Sequence, residues 1–68
     1  MNITVNGKPN PSPDDIRLDA LVRVSTGHES TVGIAVAVNG HVIPQNQWAA
    51  TPLHEGDSVE ILQAVAGG

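Results

Sequence analysis

Cysteine, phenylalanine and tyrosine are absent from the 68 residues of the chain, and Trp48 is its one aromatic residue. The lack of thiols excludes disulfide scaffolds, thiolate zinc sites and thiol redox chemistry. The length allows a single domain. Hydrophobic residues still make up 40% of the sequence, so we expect one aliphatic core that is held together by packing.

Cationic residues are also scarce. Lys8, Arg17 and Arg23 stand against seven acidic residues, which gives a formal net charge of −4. Three scattered cations form no basic patch, so nucleic acid and anionic lipid are not expected as partners, whereas a basic protein surface suits the charge. The longest apolar run, Ile34 to Val38, is far shorter than the roughly 18 residues of a membrane span. With no leader sequence evident, we expect a cytoplasmic protein.

An Asn-Gly dipeptide ends the first predicted strand. The strand covers Met1 to Val5, and Asn6-Gly7 fits a tight turn with positive φ. The following segment, Lys8 to Pro13, contains three prolines. Because proline lacks an N–H, this segment predicts at most a short, irregular or edge strand.

A helix is predicted next in the chain. Residues 12–15, Ser-Pro-Asp-Asp, match a helix start with a hydroxyl cap, a proline in the first turn and carboxylates near the positive end of the dipole. Ile16, Ala20 and Val24 recur at four-residue spacing, and Gly27 follows as a terminator. The pattern predicts an amphipathic helix of about three turns.

A second Asn-Gly dipeptide, at residues 39–40, predicts another hairpin. After Pro44 the chain is expected to cross the domain with at most one short helical turn, and Val59 to Val65 predicts the last strand. The order strand, strand, helix, strand, strand, strand indicates an α+β fold in which one main helix packs across a mixed sheet of four or five strands. We assign this domain to residues 1–64 and treat residues 65–68 as a flexible tail.

A flat apolar strip is predicted on one face of that sheet. Alternation along Ile34 to Val38 places the three large side chains on one face and Ala35 and Ala37 on the other. If the large side chains pack against the helix, the alanines and the neighbouring Leu62 and Ala64 form the opposite face. A solvated face normally carries polar residues, so the strip is a candidate docking surface. The alternative is that both faces are covered within the core.

Catalytic sequence motifs are scarce. The sequence contains no nucleophile elbow and no glycine-rich phosphate loop. Three histidines fall in separate loops, which favours solvated side chains over a zinc site. The densest carboxylate cluster is better explained by a soluble turn and strand edge than by an acid and base pair. We therefore predict no catalytic residue and no metal ligand. The residues considered are His28, His41, His54, Glu55, Asp57 and Glu60.

Trp48 has two possible roles. A large aromatic side chain either fills the open end of the core beneath the crossing segment or presents an exposed anchor to a partner. We favour the core.

The last four residues are Val65, Ala66, Gly67 and Gly68. After Val65 no side chain is larger than a methyl group, so this backbone can thread a narrow slot, and four extended residues reach at most about 13 to 14 Å. A terminal carboxylate is inert as an electrophile and has to be activated, most simply as a mixed anhydride with a nucleotide phosphate. We expect Gly68 to carry the chemistry, with the three residues before it threading into a partner's active site.

Several short motifs along the chain are typical of one known family. They are the opening Met1 to Gly7, Ala35 to Gly40, Val42-Ile43-Pro44, Trp48, Gly56-Asp57 and the ending Val65 to Gly68. In these motifs, and over nearly its whole length, the chain resembles the ThiS-type sulfur carriers of thiamine biosynthesis. Two departures are Gln45, where relatives often carry arginine, and the proline-rich segment Lys8 to Pro13.

The resemblance implies a ubiquitin-like β-grasp fold and a carrier without a catalytic site or a bound cofactor of its own. A ubiquitin-activating-type adenylyltransferase (ThiF-type) would use ATP and Mg²⁺ to adenylate Gly68. Sulfur from a cysteine desulfurase or a related donor would convert Gly68 to a thiocarboxylate, which would supply thiazole synthase (ThiG-type). The face with Ala35, Ala37 and Leu62 would dock these partners.

Other functions use the same tail chemistry. They are sulfur transfer for molybdopterin synthesis, tRNA thiolation or cysteine synthesis, and conjugation to lysines as a protein modifier. A plain β-grasp binding module with an incidental tail is the remaining alternative.

Overall fold

The computed structural model describes residues 1–27 and 32–64. Within them, one helix packs on one face of a mixed five-stranded sheet with the order β2-β1-β5-β3-β4. Strands β1 and β5 run parallel, and the other neighbours run antiparallel. The predicted order of elements and the α+β architecture are confirmed. The elements are β1 Asn2–Val5, β2 Lys8–Pro11, α1 Leu18–Thr26, β3 Ile34–Val38, β4 His41–Val42, a 3₁₀ helix Gln45–Ala50 and β5 Ser58–Gln63.

Helix α1 begins later than predicted. Its N-cap is Arg17, which has no side-chain cap, so the assignment of Ser12 as the capping residue was wrong. The chain is extended just before the helix because the Ile16 carbonyl accepts from the Leu53 N–H (3.2 Å), and the Leu18 N–H donates to the Thr51 carbonyl (2.9 Å). Gly27 ends the helix as expected, with φ 70°.

The later start changes which face of α1 is buried. Val24 was expected on the buried face but is 78% exposed, because the buried positions are set by Leu18 at spacings of three and four residues. The large residues of β3 pack against the core, as the alternation predicted. The buried core consists of Ile3, Leu18, Leu21, Val22, Val36, Trp48, Leu53, Val59 and Ile61.

Trp48 belongs to this core, which confirms the favoured role. Its side chain is 2% exposed, and its indole Nε1–H donates to the Ile43 carbonyl at 2.8 Å. The 3₁₀ helix brings the ring under the sheet, so the one aromatic residue closes the core.

Strand β2 forms despite its prolines because of its register. The Thr4 N–H donates to the Asp57 carbonyl and the Asn2 carbonyl accepts from the Gly56 N–H, so both groups point to the β5 side and away from β2. The residues of β2 opposite Thr4 and Asn2 are Pro9 and Pro11. In an antiparallel pair, residues that lie opposite each other outside the hydrogen-bonded pairs turn their backbone groups away from the partner strand. The missing N–H groups therefore fall on the outer edge, where no strand pairing is lost.

Both predicted hairpins have the expected turn geometry. Asn6 and Gly7 have φ of 52° and 80°, and Asn39 and Gly40 have φ of 51° and 84°. Two successive residues with positive φ are typical of the type I′ turn, whose twist matches that of the strands.

The two turn asparagines also hold β5 from its opposite sides. The Asn6 side chain donates to the Ile61 carbonyl (3.2 Å) and accepts from the Ile61 N–H (2.8 Å). Its amide therefore makes the hydrogen bonds to β5 that a further residue of β1 would otherwise make. Asn39 accepts from the Ser58 N–H (2.9 Å) and donates to Asp57 Oδ1 (3.0 Å). The start and the middle of β5 are thereby fixed by side-chain amides.

We expect Asn6→Gly to lower the free energy of unfolding by about 1 to 3 kcal/mol, because glycine keeps the positive φ but leaves both backbone groups of Ile61 without the amide. Urea unfolding followed by Trp48 fluorescence measures the loss. Asn6→Asp is the matched control, since it can still accept from the Ile61 N–H and should lose less. Equal stability of Asn6→Gly and the wild type would contradict the proposed role of the amide.

Candidate functional site

Strand β5 leads directly into residues 65–68, and it is the central strand of the sheet. At its end the Ala64 N–H donates to the Gly33 carbonyl at 2.8 Å. Gly33 has φ 78°, a conformation that favours glycine, and a Cβ built there would lie 3.6 Å from the Ala64 Cβ. The base of the predicted tail is thus fixed against the start of β3. Val65, Ala66, Gly67 and Gly68 lie outside the described residues.

The predicted apolar strip lies on the sheet face away from α1. Ala35 and Leu62 are direct partners across β3 and β5, so their side chains share one face. Leu62 is 70% exposed, Ala35 and Ala64 are also exposed, and Ala37 is half-buried. In the described part of the chain this face is uncovered, so the alternative of two covered sheet faces is not observed. The structure brings all four predicted docking residues to one face.

Two further residues belong to this face and were missed in the sequence. Val42 of β4 pairs with Ala37 and is 75% exposed, and Glu60 of β5 pairs with Ala37 from the other side. Val42 could be assigned from the hairpin, because a two-residue turn at Asn39-Gly40 fixes the register across β3 and β4. We call this surface the docking face. It surrounds a shallow depression of about 70 Å³, lined by Ala35, Val36, Ala37, Val42, Glu60 and Leu62.

The carboxylate cluster does not assemble as an acid and base pair. Asp57 accepts from the His54 N–H at 2.8 Å and from the Asn39 side chain, and Glu55 accepts from the Asn2 N–H at 3.0 Å. These two carboxylates hold turns together, while Glu60 lies on the docking face. Each carboxylate therefore has a separate environment.

The histidines form no metal centre that the structure describes. Across residues 1–27 and 32–64, no three side chains of histidine, aspartate or glutamate come together as ligands for a metal ion. His28 lies outside the described residues, and His54 lies 3.9 Å from Asp57 with most of its side chain exposed. In the same described segments, no helix is long and apolar enough to cross a bilayer.

The arrangement of β5, the tail and the docking face can be compared with known families. The model of the ThiS family matches residues 3–68 of this sequence. The chain belongs to the ThiS family. The match includes the docking face and all four residues of the tail, so the resemblance found in the sequence is confirmed.

Individual relatives agree with this membership. The sulfur carrier protein ThiS of Escherichia coli strain K12 is 39% identical over 36 residues, which cover 53% of this chain and 54% of that protein. This alignment therefore spans about half of the E. coli relative.

Two solved structures of the thiamine biosynthesis protein ThiS from Geobacter metallireducens extend the comparison to the whole chain. The crystal structure has a TM-score of 0.77 at 30% identity and covers 100% of both chains. The solution structure has a TM-score of 0.78 at 31% identity and covers 100% of this chain and 88% of the other. The expected ubiquitin-like β-grasp fold is thereby confirmed.

Proposed function

We propose that the chain is a sulfur carrier of thiamine biosynthesis whose sulfur is borne by Gly68. The observation that carries the proposal is that the ThiS family model extends through both terminal glycines. The name of the E. coli relative, a sulfur carrier protein, supports the same activity. The chain acts as a protein substrate, and its partners provide the catalytic groups.

The chemistry begins at the Gly68 carboxylate. One of its oxygens attacks the α-phosphorus of ATP, a new P–O bond forms and pyrophosphate leaves. Sulfur in the oxidation state of hydrosulfide then attacks the carbonyl carbon, and the C–O bond to AMP breaks. The products are a thiocarboxylate, AMP and a proton, so no net oxidation takes place. ATP and Mg²⁺ are held by a ThiF-type adenylyltransferase, and a cysteine desulfurase or a related donor supplies the sulfur. Because a desulfurase delivers sulfur as a persulfide, two thiols that become a disulfide provide the two electrons that reduce it to the hydrosulfide level.

The role of the described structure is to deliver the tail. Strand β5 is held on both sides, and the Ala64 N–H is bonded to Gly33, so the tail begins at a defined point beside the docking face. From that point, four extended residues reach about 13 to 14 Å. A partner that covers the docking face can therefore receive Gly68 in a narrow active site. We assign this docking to the adenylyltransferase and to a ThiG-type thiazole synthase.

The direct test is the intact mass of the protein purified from its own host. A fraction heavier by the difference between sulfur and oxygen, localised to Gly68 by fragmentation, is the expected result. Localisation is essential because oxidation of Met1 changes the mass by nearly the same amount. Gly68 joined to lysines of other proteins would instead identify a protein modifier.

We expect Ala37→Arg to weaken binding of the adenylyltransferase about tenfold or more without unfolding the carrier. The new side chain places a long charged group in the middle of the docking face, where it has to be desolvated on binding. Isothermal titration calorimetry measures the affinity, and far-UV circular dichroism confirms the fold.

Val24→Arg is the matched control for this change. It adds the same charge at an apolar position that is 78% exposed, but on α1, and it should leave the affinity unchanged. Equal weakening by both variants would show that added charge is responsible, and no weakening by Ala37→Arg would place the docking surface elsewhere.

A further inference from the structure

Among the described residues that line the depression of the docking face, Glu60 is the one with a charged side chain. It lies on the central strand, directly opposite Ala37 and two residues before Leu62. Ser58 and its β1 partner Thr4 continue the same sheet face on one side of Glu60, and the described residues around the depression on the other side are apolar. A carboxylate beside this apolar lining has a large effect on which partner can cover it. Alanine and leucine neighbours offer it no hydrogen-bond donor from their side chains.

Glu60 has no ion pair or side-chain hydrogen bond within residues 1–27 and 32–64. The three cationic side chains of the sequence are placed elsewhere. Arg23 lies 3.6 Å from Asp19 on α1, Arg17 precedes that helix, and Lys8 lies on β2, two strands away from β5. Nothing in the described chain neutralises the Glu60 carboxylate, so any compensation has to come from the partner.

Covering the docking face removes water from Glu60. An ionised carboxylate buried against an apolar surface without a partner is strongly unfavourable, whereas a cation that donates hydrogen bonds to it offsets the desolvation. A purely apolar partner surface is therefore disfavoured. A second copy is disfavoured as well, because it brings another unpaired Glu60 and another net charge of −4 to the same interface.

We infer that the protein surface that covers the docking face carries an arginine or lysine side chain, set among apolar residues, that pairs with Glu60. The inference rests on the proposed function, since the partner is taken to be the adenylyltransferase that activates Gly68. It also limits where the cation lies. Eight residues from Glu60 to Gly68 span at most about 29 Å of backbone, so the distance from the cation to the activated carbon is limited to roughly this length plus that of the paired side chains.

The test uses the full-length carrier and the adenylyltransferase from the same organism. Glu60→Gln keeps the size of the side chain and removes its charge, so we expect the dissociation constant to rise about tenfold and its dependence on salt to decrease. Glu55→Gln is the matched control, because Glu55 bonds the Asn2 N–H and does not line the depression. The affinity of Glu55→Gln and its salt dependence should remain close to those of the wild-type carrier. Calorimetry at low and high salt provides both quantities.

The outcomes separate this inference from the proposed function. Unchanged or tighter binding by Glu60→Gln overturns the inference, while the loss expected for Ala37→Arg would still support docking at this face. Self-association of Glu60→Gln with unchanged affinity for the enzyme also overturns it and assigns the face to a second copy. Whether Gly68 carries sulfur is decided independently by the intact mass. If Glu60→Arg loses binding, and changing one arginine or lysine of the enzyme to glutamate restores it, that enzyme residue is the one that pairs with Glu60.

Discussion

Deletion of Gly68 is expected to abolish adenylation by the activating enzyme. The shortened chain ends at Gly67, so its carboxylate lies about 3.3 to 3.6 Å short of the place where the Gly68 carboxylate would meet the α-phosphorus. A displacement of this size removes most of the rate advantage that comes from positioning the reacting groups. The exchange of labelled pyrophosphate into ATP measures the step directly. The melting temperature should stay unchanged, because the buried core lies within residues 3–61.

Ala66→Gly is the control for this deletion. It keeps the length of the tail and its terminal carboxylate, and it should retain exchange. If the chain without Gly68 still supports exchange, then Gly68 is not the activated residue and the proposed function fails at its first step. Loss of exchange in both variants would point to recognition of Ala66 instead.

Trp48→Ala is expected to lower the free energy of unfolding by about 3 kcal/mol or more. The substitution empties the space beneath the sheet and leaves the Ile43 carbonyl without the indole N–H that bonds it at 2.8 Å. A domain of this size has a small total stability, so a loss on this scale would leave a large fraction of the protein unfolded. Urea unfolding followed by far-UV circular dichroism measures it, since the variant lacks the only tryptophan.

Trp48→Phe separates packing from hydrogen bonding. Phenylalanine keeps most of the buried aromatic surface and removes the N–H, so its loss should be about 1 to 2 kcal/mol. A loss below about 1 kcal/mol for Trp48→Ala would be incompatible with the burial of this side chain.

The hairpins and the apolar strip were predicted from the sequence because their signals are local. Asn6-Gly7 and Asn39-Gly40 favour one turn type whatever surrounds them, and alternation along Ile34 to Val38 assigns faces without knowledge of the rest of the fold. Gly27 ended the helix for the same reason, since a positive φ favours glycine wherever it occurs.

The start of α1 could not be predicted in this way. The residues Ser12 to Asp15 fit a helix cap, but the segment from Thr51 to Leu53 provides competing hydrogen bonds to Ile16 and Leu18. That segment is distant in sequence and its position depends on the burial of Trp48. A tertiary contact therefore overrode a local preference, and it also moved Val24 out of the core.

The double role of the asparagines was not evident from the sequence either. Positive φ explains Asn6 and Asn39 in their turns, so nothing local indicates that their side chains also bond β5. Glu60 was considered only as part of a soluble carboxylate cluster. Its place among apolar residues follows from the pairing of β5 with β3, which depends on the complete sheet.

The parallel pairing of β1 with β5 has a mechanical consequence. A force that pulls the tail away from the start of β1 acts along the two strands, and their hydrogen bonds lie across that direction. These bonds, including those from the Thr4 and Asn6 N–H groups, are then loaded together in shear and do not open one after another. A partner that pulls on the chain beyond Ala64 therefore loads these bonds together, and β5 resists separation from the sheet.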